Sequence, residues 1–188
     1  MEGLKNVQVA VLATDGFEEA ELTGPVQALR EAGIRTVIIA PHEGQIQGFR
    51  HHDKSQKVDV ELTLDRAEPA SFDALVLPGG ALNADSLRVD RRVQQFIRTM
   101  QSAGKPIAAI CHAPWELISA GVVHGRKLTS YHTIQDDVRN AGGQWVDEEV
   151  VVDRNWVSSR QPSDIPAFNR ELLRLISKAS HSASKAAY

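Results

Sequence analysis

Short, almost continuously apolar runs alternate along this chain with longer stretches whose apolar residues recur at helical spacing. Val7–Ala13, Arg35–Ala40, Phe72–Leu77 and the run from Lys105 that ends at Cys111 are of the first kind. Such runs suit strands buried on both faces of a parallel sheet. Phe17–Ala32 reads as a helix closed by Gly33, and Val89–Ala103 as an amphipathic helix with Val93, Phe96, Ile97 and Met100 on one face. Further helices are predicted over Trp115–Ala120, stopped by Gly121, and over Ile134–Ala141, stopped by Gly142-Gly143. The last helix spans Pro162–Lys178, with Phe168, Leu172, Leu173 and Ile176 turned inward. Between His42 and Leu64 the signal changes: Gly44, Gly48 and the alternation of Val58 and Val60 predict short hairpin strands. Lys127–Thr129 reads as a short strand, and Val150–Val152 with Trp156–Ser159 as a hairpin around Asp153-Arg154-Asn155. Small residues from Ser180 to Tyr188 predict a disordered tail.

Alternating strands and helices imply an α/β fold: a flavodoxin-like, doubly wound parallel sheet sandwiched by helices, with a small β-hairpin element. The 188 residues fit a single domain over 1–179, with no internal repeat or linker. A net charge of −3 without a basic stripe argues against a nucleic-acid partner. No apolar run approaches the roughly 20 residues of a membrane span. One cysteine makes no internal disulfide, and with no signal-peptide pattern the expected compartment is the cytoplasm. His42, His51 and His52 read as solvated loop side chains, so neither a metal nor a cofactor is expected. Trp115, Trp145 and Trp156 are read as core residues.

The chemistry concentrates at predicted strand ends, where ligands of such sheets bind. Cys111 stands on a tight strand-to-helix turn, the arrangement that lifts a nucleophile out of a sheet. A helix N-terminus there favours thiolate over thiol. The alternative is a small buried hydrophobe, the usual fate of a free cysteine. Glu18, Glu19 and Glu21 crowd the first turn of the first helix, where acids complement the helix dipole. One of them becomes functional if it is buried, protonated and beside the thiol; sequence does not choose which. Pro78-Gly79-Gly80 reads as a turn, and its bare backbone would also let N–H groups approach a substrate oxygen, with the His112 amide completing an oxyanion hole. For His112 to act as a base it needs an orienting acid, for which Asp85 is the candidate; otherwise it contributes only its amide.

These stretches together resemble the ThiJ/PfpI family. The resemblance rests on Glu18-Glu19-Ala20-Glu21, Leu75–Gly80, Ala109-Ile110-Cys111-His112-Ala113-Pro114 and Leu128-Thr129-Ser130. Within the family the chain is most similar to the PfpI branch of intracellular proteases and general stress proteins. Asp136–Gly142, Ser158–Pro162 and Pro166–Arg170 carry that narrower likeness. The resemblance implies a homodimer or homohexamer, with Cys111 as nucleophile and Glu21 as the protonated carboxyl beside it. It implies the amides of Gly79, Gly80 and His112 as an oxyanion hole, and Asp85, from a neighbouring subunit, as the acid behind a His112 base. Ala113 departs from the family's usual glycine, and its methyl could tighten the turn or narrow the pocket.

Three readings follow. The first is a cysteine-dependent enzyme acting on reactive carbonyls, a protein deglycase or cofactor-free glyoxalase, whose partners are small carbonyl substrates or glycated protein. The second is an intracellular cysteine peptidase with a Cys–His–acid triad. The third is a non-enzymatic, redox-sensing stress protein. The physiological substrate and the choice between dimer and hexamer are not written in the sequence.

Overall fold

The computed structural model describes Leu4 and residues 6–186. β1 (Gln8–Leu12) is an inner strand of the main sheet, and β2 (Phe17–Glu18) leads into α1 (Glu19–Glu31). β3 (Arg35–Ala40) follows, then β4 (Gln45–Arg50), β5 (Asp53–Asp59) and β6 (Leu62–Thr63). β7 (Ala74–Leu77) precedes α2 (Ala81–Arg88) and α3 (Arg91–Ser102). β8 (Ile107–Ile110) runs into α4 (Pro114–Ser119). β9 (Lys127–Leu128), α5 (Gln135–Asn140) and β10 (Gln144–Trp145) come next. β11 (Val150–Asp153), β12 (Trp156–Ser159) and α6 (Ile165–Ala186) complete the order.

Seven strands form the main sheet in the order β11-β12-β8-β7-β1-β3-β6, parallel except for β11. Residues of a strand alternate between its two faces. Val9 and Val11 therefore face one apolar layer, shared with Leu22, Leu29, Phe168 and Leu172 of α1 and α6. Ala10 and Leu12 face the other, shared with Phe96, Ile97, Met100 and Leu117 of α3 and α4. Burial on both faces explains why these strands read as unbroken apolar runs, and the flavodoxin-like expectation holds.

Several boundaries differ from expectation. The first helix begins at Glu19 because Phe17 and Glu18 pair with Gly48 and Phe49 of β4. β2, β4 and β5 thus make a separate three-stranded sheet. Residues 81–88, which carried no predicted element, form α2, whose buried face is only Asn83, Ala84 and Leu87. Val89 ends that helix rather than starting the next; Asp90 caps α3 by accepting from the Arg92 N–H. The predicted strand at 127–129 stops at Leu128 and pairs with the unpredicted β10. The C-terminal hairpin forms, and its second strand also joins the main sheet beside β8. α6 runs past Lys178 to Ala186, over most of the expected tail; residues 187–188 lie outside the described residues. Of the tryptophans only Trp156 is buried, while Trp115 and Trp145 are half-buried.

β7, β1 and β8 lie close together in the centre of the sheet, so their carboxyl ends bring Pro78–Gly80, residues 13–18 and Cys111 to one edge.

Candidate active site

Cys111 has a φ of 63°, the left-handed region that a side chain other than glycine enters at a cost of about 1–2 kcal/mol. The turn is held from both sides. The Cys111 N–H donates to the Ser159 carbonyl at 3.0 Å, and the Cys111 carbonyl accepts from the Tyr131 N–H at 2.8 Å. Pro114 starts α4 at once, where its missing N–H costs nothing. Ala113, with φ −55°, is ordinary right-handed backbone buried in the core, so its methyl neither strains the turn nor lines the pocket.

The three acids at the start of α1, Glu18 in β2 and Glu19 and Glu21 in the helix, separate into three environments. Glu18 accepts the His51 N–H at 3.0 Å, and Glu19 pairs with Arg50 at 2.9 Å. Glu21 is fully buried, with neither carboxyl oxygen in a hydrogen bond of good geometry. Burial, reinforced by the Glu18 charge, pushes its carboxyl up to about 8; the Cys111 thiol and the Gly79 backbone act in the opposite direction. Geometry therefore singles out Glu21 as the buried carboxyl beside the thiol.

Gly79 packs between these groups. A Cβ built on it would stand 2.6 Å from the Cys111 Cβ and 2.8 Å from the Ile110 carbonyl, and would also collide with Glu21 Oε2. Gly80 has a φ of 93°, and its N–H, like that of His112, points at the Cys111 sulfur. The expected depression of the thiol is overturned. Burial first, then the Glu21 carboxylate, push Cys111 well above the ordinary thiol value against the two N–H groups. The thiol and Glu21 form a buried pair that accommodates one negative charge more readily than two.

His112 Nδ1 lies 3.2 Å from the Cys111 sulfur, and Nε2 lies 3.4 Å from Thr133 Oγ1. The ring stacks on Tyr131 with centroids 4.8 Å apart, and Trp115 meets it edge-on at 5.3 Å. Burial, then the neighbouring His132, hold the imidazole below its ordinary value, so it is neutral around pH 7. Asp85 is not brought to this ring within the chain. It is exposed on α2, outside the pocket, and no hydrogen bond joins the two among the described residues.

Cys111, Glu21, Gly80 and His112 line one cavity of about 560 Å³. Phe49, His51, His52, Tyr131 and Gln161 are among the other residues that line it. The first three come from the separate sheet and its turn, a placement that no local pattern betrays. His51 and His52 are exposed, as expected, yet border the pocket. Glu116 on α4 is a second buried carboxyl that sequence reasoning passed over; burial alone raises it well above its ordinary value. Among the described residues, no three His, Cys, Asp or Glu side chains converge as metal ligands.

The chain is similar to known proteins over most of its length. The chain is 46% identical to deglycase PfpI from Pyrococcus furiosus over 170 residues, covering 90% of this chain and 99% of the relative. It is also 46% identical to protein/nucleic acid deglycase 2 from Escherichia coli, covering 90% and 97%. The crystal structure of Drosophila melanogaster DJ-1beta superposes with a TM-score of 0.84 at 28% identity, covering 96% of this chain and 97% of that one. With residues 7–175 matching the DJ-1/PfpI family, the chain belongs to the DJ-1/PfpI family.

Proposed function

We propose that this protein is a cysteine-dependent deglycase that removes dicarbonyl adducts from amines and thiols, with free methylglyoxal as a lesser substrate. One observation carries the reading: the Cys111 sulfur sits beside the buried, raised Glu21 carboxyl in a small pocket. The deglycases of P. furiosus and E. coli, similar over nine-tenths of the chain, support it.

Around neutral pH Glu21 holds its proton, which removes its repulsion of the sulfur. With Nε2–H turned to Thr133, His112 Nδ1 is free to take the thiol proton across 3.2 Å. The sulfur then forms a bond to the adduct's carbinol carbon. The amine leaves with the proton held by His112, and a hemithioacetal remains on Cys111. Glu21 gives its proton to the adjacent ketone oxygen and takes the carbinol C–H proton. It passes that proton to the former ketone carbon and recovers one from the carbinol oxygen. The product is a lactoyl thioester, reached with no external oxidant. Water, deprotonated by His112, releases lactate and the thiol. The N–H groups of Gly80 and His112, which point at the Cys111 sulfur, would donate to the oxygen that carries charge on the carbon bonded to it during hydrolysis.

A peptidase triad needs an acid behind His112, and within one chain Asp85 does not supply it. A homo-oligomer, dimer or hexamer, belongs to the proposal: Val89, 74% exposed, lies one turn from Asp85 and offers apolar surface for a second copy.

The test is release of lactate and free amine from methylglyoxal-treated Nα-acetyllysine. Wild type releases both, while Cys111→Ser and Glu21→Ala lose at least a hundredfold in kcat/KM. Full turnover by Cys111→Ser sinks the reading.

A further inference from the structure

A second cavity of about 520 Å³ adjoins the first, sharing Gly16, Phe49 and Leu82 as common wall. The first lobe has acids in its lining, Glu18 and Glu21, but no lysine or arginine. The second is lined by Lys54 and Lys57 of β5. Residues three apart on a regular strand point to opposite faces. Here the pairing slips by one residue: Lys57 pairs with Gln47, but Lys54 pairs with Phe49. Gln47 and Phe49 share a face of β4, so the slip brings both lysines to that face, as bulges re-aim side chains. Both lysines are exposed, and neither ammonium group joins a hydrogen bond or ion pair among the described residues. The other charge in the lobe, Asp15, is already engaged: it accepts the Gln47 N–H at 2.7 Å and stands 3.4 Å from His42 Nε2. Gln47 donates within its own sheet, to Gly48 and Ser55.

We propose that the substrate spans both lobes, its reacting carbon at Cys111 and an anionic group, phosphate or carboxylate, held by Lys54 and Lys57. This rests on the carbonyl-adduct reading above and narrows its substrate class to adducts on anionic molecules. Methylglyoxal is too small to reach past Phe49 and Leu82, so the second lobe serves the amine- or thiol-bearing part. Lysine, a flexible point charge with three donors, suits either anion.

Matched methylglyoxal adducts separate the two sources of charge: guanosine 5′-monophosphate against guanosine for phosphate, N-acetylcysteine against N-acetylcysteinamide for carboxylate. Wild-type kcat/KM favours at least one anionic member about tenfold, through KM. Lys54→Met/Lys57→Met removes that preference and leaves the neutral members unchanged. Calorimetric titration of Cys111→Ser, with and without the two lysine changes, reads the same preference without turnover. A binding preference there upholds the inference even if no adduct is turned over, in which case only the deglycase reading falls. Equal binding of both members of each pair, binding of neither, or a preference that survives the lysine changes overturns it.

Discussion

The Cys111 sulfur stands 3.2 Å from Nδ1 of His112, the residue that follows it directly in the chain. Consecutive side chains on regular backbone diverge; these two meet because Cys111 has a φ of 63°. Left-handed backbone at the nucleophile thus gives the proposed acid–base partner a contact that helix or strand would deny it.

That conformation has a measurable cost. Glycine enters the left-handed region freely, whereas alanine does not. Cys111→Gly is therefore expected to unfold in urea at a free energy about 1 kcal/mol higher than Cys111→Ala. On ordinary right-handed backbone the order reverses, because alanine there limits the unfolded chain. Cys111→Ala proving the more stable of the two would remove the strain argument.

Glu21 predicts a pH dependence of stability. Its carboxyl sits at about 8 in the folded protein and at about 4.3 once unfolded. Between those values the native state keeps a proton that the unfolded chain has released. Stability therefore falls as pH rises through that window, by up to about 5 kcal/mol at its upper end, and the penalty is absent below the unfolded value. Glu21→Gln carries no titrating group, so its unfolding free energy should decline less between pH 5 and 8 than that of wild type. Denaturant titrations at several pH values measure the difference, and parallel curves would show that Glu21 is not held protonated.

Much of this site was legible before the fold was known. Cys111, Glu21, Gly79, Gly80 and His112 follow strand ends, and a parallel sheet gathers strand ends at one edge. The residue pattern alone did not choose Glu21 among three acids, and only the family resemblance pointed to it, because the choice depends on which side of α1 meets Gly79 and Cys111. α2 escaped notice because its buried face has two apolar residues and an asparagine. That asparagine is nonetheless structural: Asn83 donates to the carbonyls of Pro78 and Gly79 and accepts the Thr14 N–H, tying two strand ends together. The lining from Phe49, His51 and His52 was hidden because a separate sheet folds it over the pocket from a distant part of the chain. The depressed thiol was expected from a helix N-terminus, but burial beside a carboxylate outweighs what that end contributes.

Glu116 gives the last prediction, and it separates a buried acid that serves the proposed chemistry from one that does not. Its carboxyl is fully buried on α4, both oxygens lack a hydrogen-bond partner among the described residues, and it does not line the pocket. Keeping it neutral in an apolar site costs stability once the unfolded chain can ionise it, and the cost grows as pH rises above about 4.3. A methionine of similar length fills the space without that cost. Glu116→Met should therefore raise the unfolding free energy at pH 8 by about 2 kcal/mol or more, with a smaller gain at pH 5. Adduct turnover should stay within twofold of wild type, in contrast to the collapse expected for Glu21→Ala. Urea unfolding at the two pH values, with lactate release measured on the same preparations, decides it. A destabilised Glu116→Met protein, or one as inactive as Glu21→Ala, would mean that Glu116 has a partner or a role in the reaction.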